Sequence, residues 1–268
     1  MKKIILFSVI ILVSCISFSI ESFDTVEYNE YLDEITNSEI ISGNRVKLLT
    51  SGTETFAQME KMINEAHETI NIEFFIFNED TVGEYFKDLL IKRAKEGIKV
   101  RVITDNWHCR KNSEEFKEEI SGNLELRVHN SFIAGTDNIN HSYHEKYVIV
   151  DGKYGLTGGT NLHDVNVDRY IKKHPFAEPE FMKGNRDANV YIEGPMVAEL
   201  QKAFVKNWNY LGEDISDDEY LSLFPELKSF EENVRMRFIS QDKTRFDTVF
   251  ISNLYFYLVQ NAQKTLYF

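Results

Sequence analysis

The stretch HEKYVIVDGKYGLTGGTNLHD, residues 144–164, decides how the chain is read. From His144 to Val150 the run is strongly apolar, interrupted by charge at Glu145 and Lys146, which is the pattern of a buried strand. Asp151-Gly152 is a hairpin turn signal, and Tyr154 to Leu156 continues as the return strand. Side chains two apart on a strand share a face, so His144 and Lys146 point into one space. The Gly158-Gly159 turn lets the backbone approach closely, and Asn161 follows it.

These residue types in this order suit one chemistry. An imidazole attacks or protonates near neutral pH, while a lysine offers a fixed positive charge to a phosphate. Asn161 adds a neutral donor aimed at the same anion. A nucleophile with charge-stabilising donors is what phosphodiester cleavage needs, with no metal or other cofactor. His108-Cys109 hints at a metal ligand pair, but no C-x-x-C or H-x-x-x-H spacing accompanies it. Of the other histidines, His141 reads as a residue of the loop before the stretch, with contact to a phosphate as the lesser alternative, and His163 reads as a surface residue.

Outward from this centre the chain alternates strand and helix. Val46–Leu49 reads as a strand, and Thr55 with Gln58 as a capping box opening a helix that carries Phe56, Met59 and Ile63. Thr69–Phe77 is a buried-strand run, and Thr81 with Glu84 opens a second helix that stops at Gly97. Ile98–Ile103, Leu124–Val128 and Ala188–Ile192 are further strands, with a short polar helix over Asn112–Ile120. Gly194-Pro195 opens a helix to about Leu211. The alternation predicts an α/β sandwich with helices on a parallel or mixed sheet. Near the end, Ala66–Ile72 can be laid over Ala262–Phe268, and Val46-Lys47-Leu48 over Val234-Arg235-Met236. The same order of strand, helix and strand recurs, which points to internal duplication. Tyr255-Phe256-Tyr257 reads as the core-facing side of a helix.

The HxKxxxxD motif followed by GGxN is similar to the signature of the phospholipase D superfamily, and it looks most like that of bacterial cardiolipin synthases. IEFFIF (72–77), Asp80-x-x-Gly83, GIKVRVITD (97–105) and NRDANVYIEGP (185–195) extend the resemblance over roughly residues 46–268. It implies a phospholipase D-like α-β-α sandwich with a mixed sheet, the first of two duplicated halves. It implies a phosphodiesterase or phosphatidyltransferase acting on phospholipids through a phosphohistidine on His144. Lys146 and Asn161 then bind phosphate oxygens beside the Gly158-Gly159 backbone, and Asp164 matches a carboxylate that orients a histidine. Asp151 is catalytic by its place in the motif. Its local sequence equally fits a turn residue before Gly152, and strand alternation puts it on the face opposite His144.

Such sites use two histidines, and H-x-K occurs once in these 268 residues. A C-terminal half carrying the second motif, or a homodimer, would supply the other. A single-motif, nuclease-like dimer and an inactive truncated remnant are the competing readings.

The chain carries 30 basic against 43 acidic residues, a net charge of −13, which disfavours nucleic acid and leaves phospholipid at a membrane surface as the expected partner. Lys2 and Lys3 precede the apolar run Ile4–Val13, and Leu12-Val13-Ser14-Cys15 matches a lipoprotein signal lipidated at Cys15. Cleavage after Ser17-Phe18-Ser19 and a retained anchor over Ile4–Ile20 are the alternatives, and each exports the body of the protein to the bacterial cell envelope. The expected organisation is a signal over 1–20, a linker over 21–45 and the phospholipase D-like domain over 46–212. A solvated acidic connector over 213–232 and the start of a second repeat over 233–268 complete it.

Overall fold

The computed structural model describes residues 26–105, 122–129, 144–167, 187–240 and 250–262. Strands β1 (Ile40–Leu49), β2 (Thr69–Phe74), β3 (Lys99–Asp105), β4 (Leu124–His129), β5 (Lys146–Val150), β6 (Tyr154–Gly158), β7 (Asn189–Glu193) and β8 (Val234–Arg237) form one sheet in the order β4-β3-β2-β5-β6-β7-β1-β8. β2, β3 and β4 are parallel, and every pairing from β2–β5 onward to β8 is antiparallel.

Both faces of the sheet are covered, which is why its central strands are apolar throughout. On one face α2 (Gly52–Asn64) and α3 (Thr81–Lys95) lay Phe56, Met59, Phe86 and Leu90 over Ile70, Ile72, Val148 and Val150. On the other, α4 (Met196–Tyr210) lays Leu200, Phe204 and Trp208 over Tyr147, Ile149 and Ile192. The result is the expected α-β-α sandwich on a mixed sheet.

Several local expectations shift. α2 starts earlier than Thr55: Ser51 is its cap, accepting from the Glu54 amide at 3.2 Å, while the Thr55 hydroxyl donates to the Ser51 carbonyl inside the helix. Asp80, not Thr81, caps α3. The stretch 21–45 is not a linker over its described part, because α1 (Val26–Thr36) and the first half of β1 lie within it. Buried Asn44 ties this part of β1 down, donating to the Ile41 and Val234 carbonyls and accepting from the Met196 amide.

The acidic connector is docked, not simply solvated. Its helix α5 (Asp217–Ser222) presents Glu219 to the buried Arg101 guanidinium, and Arg127 lies over the Trp208 ring and donates to the Glu213 carbonyl. Of residues 233–268, β8 joins the edge of the first sheet beside β1, so no separate sheet begins among the described residues. α6 (Phe250–Asn261) packs on α1 through Tyr257, whose ring meets Tyr28 and Tyr31. Tyr255 and Phe256 are exposed instead of facing a core. The polar helix expected over 112–120 and the strand beginning near 265 lie outside the described residues.

Candidate active site

β2 changes partners at its end, and that change builds the site. It pairs with β5 as far as Phe74 opposite Lys146. Beyond, Phe77 bridges to Leu162, the Leu162 amide donates to the Ile76 carbonyl at 3.1 Å, and the Asn78 amide donates to the Leu162 carbonyl at 2.9 Å. The same crossing brings Asn161 in, its Oδ1 accepting from the Ile76 amide at 3.1 Å. With the oxygen fixed on the backbone, the remaining hydrogen-bonding end of Asn161 is a donor.

His144 and Lys146 meet as their spacing predicts. Lys146 Nζ lies 3.4 Å from His144 Nδ1 and donates to the His144 carbonyl at 2.7 Å. Phe75 flanks both, its ring centroid 4.7 Å from that of His144 and 5.6 Å from Lys146 Nζ, within cation–π range. The lysine is 5% exposed while His144 is open to solvent, which sets an accessible imidazole beside a partly desolvated charge. Sequence reasoning missed Phe75; its signal is the aromatic cluster ending β2, where a strand alternation has no room for three consecutive core residues.

Asp151 belongs elsewhere. It sits past the far end of β5, about 20 Å from His144 at ~3.3 Å per strand residue. Its φ is +52°, and its carboxylate accepts from three consecutive backbone amides, His67, Glu68 and Thr69, at 2.8 to 3.2 Å. The catalytic expectation for Asp151 is therefore replaced by a structural one: it fastens the α2–β2 turn to the β5–β6 hairpin.

The residues expected to bind substrate have structural contacts of their own. The Gly159 amide already donates to the Ala188 carbonyl, and a Cβ there would meet Asp187 Oδ1. At Gly158 a Cβ would lie 2.3 Å from Asn189 Oδ1, so the glycine pair is required for the start of β7 to pack close by. Asp164 accepts from the Val82 amide at 2.8 Å and the Thr81 amide at 3.3 Å, holding the N-terminus of α3. Burial raises its carboxyl above the usual range and nearby Asp80 adds to this, against the lowering effect of those amides. For Asp80, burial pulls upward as well. Hydrogen bonds from the Asp164 amide, Asn78, the Gly83 amide and His163 outweigh it and leave the carboxyl lowered. His163, expected at the surface without a role, is the partner of Asp80.

Behind β5 lies a second polar group that the sequence did not single out. Tyr147 Oη donates to Glu73 Oε2 at 2.7 Å, and Asn207 Nδ2 reaches both Glu73 Oε2 at 2.9 Å and Glu145 Oε2 at 3.0 Å. Burial, with Glu73 and Glu145 adding to it, keeps the Tyr147 phenol well above the ordinary tyrosine range, so it remains a donor. Cys15 and His141 lie outside the described residues.

Residues 59–208 match the family described as "Cardiolipin synthase, PLD-like domain". The chain belongs to this phospholipase D-like family. A cardiolipin synthase of Halalkalibacterium halodurans is 29% identical to the phospholipase D-like chain over 273 residues, covering 92% of it and 51% of the relative. One from Alkalihalophilus pseudofirmus is 30% identical over 240 residues, covering 87% and 45%. The chain thus spans about half the length of the curated relatives it matches. Among solved structures, Nuc from Salmonella typhimurium, described as a phospholipase D family member, is 17% identical. It matches with a TM-score of 0.46 over 65% of this chain and 99% of its own.

Proposed function

We propose that this chain supplies one half-site of a phosphodiesterase or phosphatidyltransferase that acts on phospholipids at the cell envelope. The observation that carries the reading is the meeting of an exposed His144 with Lys146 where β2 changes partners, with Asn161 fastened by its oxygen to the Ile76 amide of the same crossing. In the proposed first step a ring nitrogen of His144 attacks phosphorus, and the bond from phosphorus to the leaving oxygen breaks with its electron pair. Lys146 and Asn161 stabilise charge on the other phosphate oxygens. Water or a second alcohol then attacks the phosphohistidine, giving hydrolysis or transfer and restoring the imidazole.

An alkoxide leaving group needs a proton, and one histidine does not attack phosphorus and protonate the opposite side together. A second half-site, from further chain or from another copy, supplies that proton in this reading. The cardiolipin synthase relatives favour a phospholipid over a nucleic acid as substrate, and so does the net charge of −13. The apolar run after Lys3 supports export, with Cys15 as the lipid anchor.

The leaving group decides which substrate tests the half-site. A bis(nitrophenyl) phosphodiester releases a phenolate stable without protonation, so an isolated half-site suffices for the first step. A burst of nitrophenolate matching the protein concentration, with radiolabelled phosphate retained on His144, is the expected result. A burst that persists in His144→Ala refutes the assignment. With a labelled short-chain phospholipid, turnover is expected only when a second half-site is present.

A further inference from the structure

The backbone around His144 requires an explanation, because the strand ladder stops short of it. The last pairs of β5 are Lys146 with Phe74 on one side and Tyr147 with Thr157 on the other. In front, the Lys146 ammonium and the Phe75 ring hold His144. The rear contact belongs to Glu145, the residue between the two site groups, whose side chain joins the polar group on the α4 side of the sheet.

Glu145 Oε2 accepts from Asn207 Nδ2 at 3.0 Å and lies 3.3 Å from Tyr147 Oη, whose proton goes to Glu73, and its Oε1 accepts from the Ser240 hydroxyl. Asn207 and Tyr147 are nearly fully buried and joined to the wholly buried Glu73, so this attachment is rigid. Ser240, just after β8, therefore touches the residue that precedes β5.

We infer that Glu145 is a positioning residue for the proposed phosphoryl transfer, holding His144 and Lys146 in place by anchoring β5 to α4 from the face opposite the substrate. The inference rests on the half-site reading above. Adjacent Cα atoms lie ~3.8 Å apart, so an anchor on Glu145 restrains His144 through a single peptide link. A displacement of about 1 Å at a reacting group costs roughly 100-fold in rate.

The test compares Glu145→Ala, Glu145→Gln and Glu145→Asp in the full chain. Glutamine reproduces the anchor: its oxygen accepts from Asn207, and its amide donates to Ser240, whose hydroxyl also accepts. The nitrophenolate burst is expected to slow about 100-fold in Glu145→Ala at unchanged substrate affinity, and to stay within about 3-fold of wild type in Glu145→Gln. In histidine-labelled protein the His144 ring resonance, assigned by its loss in His144→Ala, shifts or broadens in the alanine variant and is restored in the glutamine variant. If the alanine variant does not fold, the aspartate variant, one methylene short of the anchor, is expected to show the same displaced resonance. A wild-type protein without any burst sinks the nucleophile reading, while the resonance still reports on the anchor. A folded alanine or aspartate variant with wild-type His144 resonance and burst overturns the inference.

Discussion

Asp151 is the motif residue whose role differs most from its expected one, and replacing it separates stability from chemistry. Alanine removes the acceptor for the amides of His67, Glu68 and Thr69 at once. An amide left without an acceptor costs about 1–3 kcal/mol when buried. Thr69 is buried, but His67 and Glu68 are exposed enough for water to replace part of what they lose. Alanine also adopts the positive φ of +52° at this position less readily than aspartate does. Together these give a loss of about 2–4 kcal/mol for Asp151→Ala. Asn is milder, because Oδ1 receives three of the four contacts and an amide oxygen can take its place; about 1–2 kcal/mol follows for the one contact turned repulsive. Urea unfolding measures the loss, and hydrogen exchange at the three amides localises it. Below the unfolding transition the nitrophenolate burst should equal that of wild type. A stability change under about 0.5 kcal/mol together with a lost burst would refute the structural assignment and return Asp151 to the chemistry.

Lys146→Ala and Asn161→Ala should each slow the burst by about 100-fold or more by weakening charge stabilisation, without altering the urea midpoint by a comparable amount. The lowered carboxyl of Asp80 binds its proton more weakly in the folded than in the unfolded chain, so its contribution is present above the unfolded value and is lost as pH falls through the lowered one. Asp80→Asn should therefore flatten stability against pH in the acid range; an unchanged slope in urea titrations counts against the Asp80 cluster as its source. Radiolabelled fatty acid should tag the wild type and not Cys15→Ser, and equal labelling of the two removes the lipoprotein reading.

The site was legible where chemistry and local pattern coincide. His144 and Lys146 are two residues apart on a strand, and strand geometry alone makes them neighbours. The functions of Asp151, Asp164 and Asn44 were not legible, because each is decided by backbone amides more than 80 residues away in sequence. Strand alternation does place Asp151 away from His144, but alternation alone does not say what the carboxylate binds instead. The first half of β1 does not follow from local pattern because its strand is irregular at Gly43-Asn44, where pairing with β8 and a buried asparagine stabilise it. Acidic residues from 213 onward look solvated until the buried Arg101 on β3 is seen to need Glu219.

The exchange of partners by β2 also governs how activity is lost. Its ends of β2 and β5 lie in the middle of the sheet order, with two or more strands on either side. His144, Lys146, Phe75 and Asn161 come from three separate stretches of chain that meet only when those central strands are paired. No one of those stretches carries all four side chains. Central strands are the regions whose amides open only in the global unfolding of a domain. Loss of the burst and loss of the fold should then follow one transition, with no partly folded species that still attacks phosphorus.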